Sequence, residues 1–130
     1  MQPIRSKRRM YVCLGPVICL ALMACDRRQS VSLTAEDFRF VPDLVRVSAA
    51  SPLTLTVYNA GREMHAFDSP ILMYAAKTAY VEASTKSASP GVPIQPGQSF
   101  QLVMTPPPGT YLYICRRKGH ANMTGTMIVE

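Results

Sequence analysis

The chain has 130 residues, room for one domain and a leader but not for two domains, and a domain of about 100 residues can bury a working core without cross-links. Its 14 Lys and Arg against 8 Asp and Glu give a net charge of +6, but four of the basic residues, Arg5, Lys7, Arg8 and Arg9, crowd the first ten positions. Losing those four with a cleaved leader leaves 14 − 4 = 10 basic against 8 acidic residues, a net +2 that excludes a nucleic-acid-binding charge pattern.

The basic start is followed by an apolar run from Tyr11 to Ala24, the pattern of a secretory signal. The run is too short to span a bilayer and is interrupted by Gly15-Pro16. It ends in Leu22-Met23-Ala24-Cys25, which resembles the lipobox of bacterial lipoproteins. That resemblance implies cleavage before Cys25, acylation of its thiol, and a protein held on the periplasmic side of a bacterial membrane by its lipid chains. The expected division is a signal over 1–24, a lipidated Cys25 with a polar tether over 25–30, and a folded domain over 31–130. Asp26, second in the processed chain, favours the inner membrane, and Arg27 and Arg28 would lie near anionic headgroups. Cys13 and Cys19 leave with the signal, so Cys115 is the one thiol remaining to the processed domain. An unpaired thiol in an oxidising compartment is preserved when a metal holds it as thiolate.

From Val31 onward the pattern is short, β-rich and punctuated. Val31–Leu33, Phe38–Phe40, Leu44–Val47 and Leu53–Tyr58 alternate apolar and polar residues, which predicts half-buried strands of an antiparallel sheet. Asn59-Ala60-Gly61 closes the fourth run with turn residues. Ser69-Pro70 places a capping side chain before a proline suited to a first helical turn, predicting a short helix over Ile71–Thr78. Glu82–Pro93 reads as a surface loop rich in Ser, Ala and Pro. Strands resume at Ser99–Met104, at Thr110–Cys115, where Tyr111, Tyr113 and Cys115 share one face, and at Thr126–Glu130. The fold class expected is all-β, a β-sandwich with one short helix or irregular insertion.

Chemistry concentrates in Cys115-Arg-Arg-Lys-Gly-His120-Ala-Asn-Met123, between two predicted strands, with His65 fifty residues upstream. One thiolate, two imidazoles and a weak thioether suit copper that cycles between two oxidation states, because a nearly trigonal arrangement of those donors favours neither strongly. Alone, each residue has an ordinary reading, since a single Cys or Met is more often core filler than a ligand. Together, with only two histidines in the chain, His65, Cys115, His120 and Met123 are the candidate metal ligands. Met127 and Met64 are the alternative sulfurs, the first on the last predicted strand and the second beside His65.

The punctuation around these residues resembles the plastocyanin and azurin type of cupredoxin, over nearly all of residues 36 to 130. The resembling segments are Phe38-x-Phe40-x-Pro42, Val57-Tyr58-Asn59-Ala60-Gly61 before His65, Ile94-Gln95-Pro96-Gly97-Gln98, Pro108-Gly109-Thr110-Tyr111, and Lys118-Gly119-His120 through Met123-Thr124-Gly125-Thr126. The resemblance implies a Greek-key β-sandwich holding one type 1 copper ion, with His65 and His120 as imidazole ligands, Cys115 as thiolate and Met123 as axial sulfur. Two residues separate His120 from Met123, fewer than in many cupredoxins. A dinuclear copper site would need a second bridging cysteine, and multicopper oxidase or nitrite reductase chemistry would need more histidines than two.

The expected function is electron transfer by a monomeric, membrane-tethered, non-enzymatic carrier; the alternative is copper binding for resistance or delivery. Arg116, Arg117 and Lys118 beside the site are candidates for docking an acidic face of a redox partner. The His120 ring edge is the expected exit to solvent, and neither nucleic acid nor a second cofactor is expected.

Overall fold

The computed structural model describes residues 27–75 and 91–130. The leader over 1–24, Cys25, Asp26, residues 76–78 of the expected helix and residues 82–90 of the expected loop lie outside the described residues.

The chain order is β1 (Gln29–Glu36), β2 (Arg39–Val41), β3 (Leu44–Val47), β4 (Leu53–Asn59), β5 (His65–Asp68), a 3-10 helix (Pro70–Tyr74), β6 (Val92–Ile94), β7 (Ser99–Met104), β8 (Gly109–Cys115) and β9 (Thr124–Val129). These strands form two facing sheets, ordered β2-β1-β4-β7 and β3-β9-β8-β5-β6. Period-two alternation decides which side chains meet between them. Leu53, Leu55 and Val57 of β4, Phe100, Leu102 and Met104 of β7, and Tyr113 and Cys115 of β8 all turn inward and are buried. At the centre Phe40, Phe67 and Tyr113 pack ring against ring, with centroids 5.4 to 5.9 Å apart, and Phe100 adds to Phe67 at 5.6 Å. Gly125 on β9 lies over the Tyr113 ring, where any Cβ would overlap it.

Four sequence expectations change. The sandwich is mixed, because β1 runs parallel to β4 and β3 parallel to β9; alternation reports which face is buried and not strand direction. The expected helix is a 3-10 turn of five residues, capped by Ser69 Oγ accepting from the Ile71 amide at 3.3 Å and ended by extended backbone at Ala75. Val92-Pro93, read as the end of a loop, forms with Ile94 the strand β6 on the sheet edge, with Pro93 opposite Ala66 of β5. Gln29 and Ser30, read as tether, belong to β1, and the Gln29 side chain both donates to the Ser48 carbonyl (2.8 Å) and accepts from its amide (2.6 Å).

The Tyr113 hydroxyl donates to the Pro42 carbonyl at 2.8 Å, tying the two sheets at the end that carries the copper-candidate loop. Burial, and after it the Asp43 carboxylate, push this hydroxyl up from 10.0 to about 12. Because the folded value lies above the unfolded one, the stabilisation from neutral Tyr113 is complete below pH 10.0 and is lost as pH rises through about 12. Tyr113→Phe is expected to cost about 1 kcal/mol at neutral pH, the ordinary worth of such a bond, and to lose less stability than wild type between pH 10 and 12. Denaturant melts across that range check it; parallel losses in the two proteins would contradict it.

Candidate metal centre

Three elements bring the donors together. His65 opens β5 in phase with Phe67, so both face inward, and His65 is fully buried. Cys115 ends β8 and pairs across to Phe67, which sets the thiol two residues along the strand from His65 and on the same face. The chain then folds through two successive tight turns, the His120 amide donating to the Arg117 carbonyl (3.1 Å) and the Met123 amide to the His120 carbonyl (2.9 Å). Gly119 takes φ +90 within the first turn, in open space, so backbone conformation rather than room calls for glycine there. The loop is stitched down by Arg116 N to Ala66 O (2.9 Å) and Cys115 N to Met123 O (3.0 Å).

The result is a triangle of donor atoms. His65 Nδ1 lies 3.2 Å from His120 Nδ1, and Cys115 Sγ lies 3.8 Å from the first and 3.7 Å from the second. The point equidistant from these corners is about 2.1 Å from each, a bond length for a first-row metal to imidazole nitrogen and near that to thiolate sulfur. All three residues are buried, and burial, then the neighbouring His120, hold His65 below the ordinary histidine value of 6.5. A neutral imidazole is the form that ligates a metal. The Ala66 amide donates to Cys115 Sγ at 3.4 Å, which fixes the sulfur beside the first residue after His65. Cys115 is a free cysteine.

Met123 is 1% exposed and its backbone bonds to both Cys115 and His120, which puts the fourth expected donor at the same end of the sandwich. Of the alternative sulfurs, Met127 is buried within β9 between Val45 and Tyr111, and Met64 is half-buried in the loop before β5.

Several residues that shape the site carry no ligand signature. Asn59, fully buried, donates through Nδ2 to the carbonyls of Glu63 (2.7 Å) and Ile94 (2.8 Å) and accepts through Oδ1 from the Gly61 amide, so it fixes the loop leading into His65. Gly61 leaves room for the His65 ring, since a Cβ there would reach within 2.9 Å of Nε2. Phe38 turns out of the strand expected for it, at φ +68, and its ring centroid sits 5.1 Å from that of His120 while Phe38 itself stays 60% exposed. A short run of strand-like residues broken by Asp37 was the available signal for this turn.

The expectation that the His120 edge opens to solvent is corrected: the residue is 4% exposed, covered by Phe38 and bonded through Nε2 to Glu63 Oε2 at 3.3 Å. The basic run is also partly neutralised. Arg116 pairs with Asp68 at 2.6 Å and Arg117 with Glu63 at 3.5 Å, while Lys118 is exposed and makes no ion pair among the described residues.

No protein-family model matches the sequence, and no curated protein matches it either. Solved structures do. Auracyanin B is similar with a TM-score of 0.59 and 24% identity, covering 78% of this chain and 88% of its own. Dithionite-reduced auracyanin from Roseiflexus castenholzii gives 0.60 and 18%, over 78% and 97% of the two chains. Auracyanin A, a blue copper protein from Chloroflexus aurantiacus, gives 0.57 and 20%, over 80% and 100%. The chain therefore has the cupredoxin fold, and its His65, Cys115, His120 and Met123 group fits one type 1 copper ion.

The axial assignment has its own test. A thioether donor stabilises the oxidised metal slightly, so Met123→Leu is expected to raise the reduction potential. A tenfold change in relative affinity for the two oxidation states corresponds to about 59 mV for one electron, and a rise of that order is expected. A variant with the wild-type spectrum and potential would remove Met123 from the ligand set.

Proposed function

We propose that this cupredoxin-fold protein is a single-electron carrier, tethered to the periplasmic face of a bacterial membrane through lipid on Cys25. The observation that carries the reading is the triangle of two Nδ1 atoms and one Sγ, with sides of 3.2, 3.7 and 3.8 Å, already assembled by the chain's own packing. Copper bound there supplies a one-electron couple. The protein's part is to hold the donors in one arrangement for both oxidation states, so that little moves when the electron does.

Each residue has a role in that. Cys115 offers a sulfur that accepts from the Ala66 amide, His65 anchors the inner side, and His120 lies under the exposed Phe38. Phe38 is the exposed group through which a partner would meet the His120 ring. Docking to an acidic partner face would draw on Lys118 more than on Arg116 and Arg117, whose charges are partly met by Asp68 and Glu63. His65, Cys115, His120 and Met123 would together fill a four-coordinate sphere and leave no open position for substrate, which supports a carrier rather than a catalyst.

Titration of the purified protein with copper, followed by visible spectroscopy and redox cycling, tests this function. One equivalent is expected to produce a strong thiolate-to-copper band that bleaches on reduction and returns on reoxidation with the metal retained, and that is absent in Cys115→Ser. Loss of copper on reduction would favour metal delivery instead, and the absence of any such band would contradict the site. Cys25→Ser is expected to move the protein from the membrane to the soluble fraction, and unchanged fractionation would rule out the lipid anchor.

A further inference from the structure

The contact between Glu63 and His120 assigns a task to a residue outside the ligand set. His120 presents Nδ1 to Cys115 and His65, and its other ring nitrogen, Nε2, meets Glu63 Oε2 at 3.3 Å. Glu63 is held at both ends. Its backbone carbonyl accepts from buried Asn59 at 2.7 Å, and its carboxylate pairs with Arg117 at 3.5 Å, a residue of the same loop as His120. Phe38 closes the ring face with centroids 5.1 Å apart and planes inclined at 57°.

We propose that Glu63 is a positioning residue for the metal centre: its carboxylate accepts the Nε2 proton of His120, holds the ring with Nδ1 turned inward, and lowers the reduction potential of bound copper. The proposal rests on the copper reading of the same site. The physical reason is general. A carboxylate on the far nitrogen of a ligating histidine selects the tautomer, makes the ligand more basic and favours the more positive metal. The bond also ties the loop before β5 to the loop after β8, so one contact aligns two ligands that lie 55 residues apart. Arg117 keeps the carboxylate in place and offsets part of its charge. This makes the nominal docking residue Arg117 a component of the site's support.

Glu63→Gln, Glu63→Ala and a control, Asp68→Asn, separate contact from general charge, because Asp68 pairs with Arg116 and makes no bond to a ligand ring. The potential is read from redox titration of the visible band in the copper-loaded full chain. The His120 Nε2 proton is read by NMR in the metal-free protein. Glu63→Gln, which keeps an acceptor but loses the charge, is expected to shift relative affinity toward reduced copper three- to tenfold, tenfold being about 59 mV for one electron, with the Nε2 proton still protected. Glu63→Ala is expected to shift the potential at least as far and to lose that protection, while Asp68→Asn moves the potential less than either. Equal shifts in Asp68→Asn and Glu63→Gln, or wild-type potentials and an unchanged Nε2 proton in both Glu63 variants, would overturn the proposal. A wild-type protein with no thiolate-to-copper band would overturn the copper reading instead, and the NMR comparison would still report on Glu63.

Discussion

Three electron-pair donors buried within 3.8 Å of one another are the constraint on which the rest of this protein depends. Two imidazole nitrogens and a sulfur at such separations repel through their lone pairs unless a proton or a cation lies among them, and burial denies them water. The arrangement therefore needs a scaffold that holds it against that repulsion. The pairing of β5 with β8 supplies the first two donors from regular strands, where backbone hydrogen bonds and side-chain packing limit movement. The third comes from a loop of two tight turns whose ends are bonded back to the strands it joins.

The sandwich core and the site are continuous. Phe67 packs between the sheets with Phe40, Phe100 and Tyr113, and it is also the residue opposite Cys115 and two positions from His65. A shift of one residue in the register of β5 would turn His65 to the outer face and Ala66 inward, so the apolar alternation that stabilises the fold also aims the ligand. Asn59 does the corresponding work for the loop, since its side chain bonds two carbonyls and one amide and so ties the loop to the buried Ile94 carbonyl. The surface over His120 is different in kind. Phe38 is exposed and apolar, Arg116 and Arg117 are engaged by Asp68 and Glu63, and Lys118 is left facing solvent.

The parts of this arrangement legible in the sequence are those whose signal is local. Alternation in Thr110–Cys115 put Tyr113 and Cys115 on one face, and both are buried; the ordering of Cys115, His120 and Met123 within nine residues marked one metal-binding loop. Ser69-Pro70 announced its turn correctly but not its length, because a cap specifies where a helix starts and not where it ends. The parallel pairings β1 with β4 and β3 with β9 were hidden, since strand direction depends on partners distant in the chain. Strand β6 was hidden by its composition, with Pro93 tolerated only because β6 lies on an edge. The roles of Phe38 and Glu63 were hidden for a related reason: each gains its meaning from lying against His120, 82 and 57 residues further along. The covered His120 edge follows from those two contacts, neither of which has a motif.

The central claim is that the protein assembles the metal-binding geometry by itself. Crystal structures of the metal-free and copper-loaded protein test it most directly. Sides of 3.2, 3.7 and 3.8 Å between the Nδ1, Nδ1 and Sγ atoms are predicted in the metal-free form, changing by less than about 0.5 Å when copper enters. A metal-free form in which His120 swings away from Cys115, its bond to Glu63 broken, would show that the metal and not the fold builds the site, and would contradict the account.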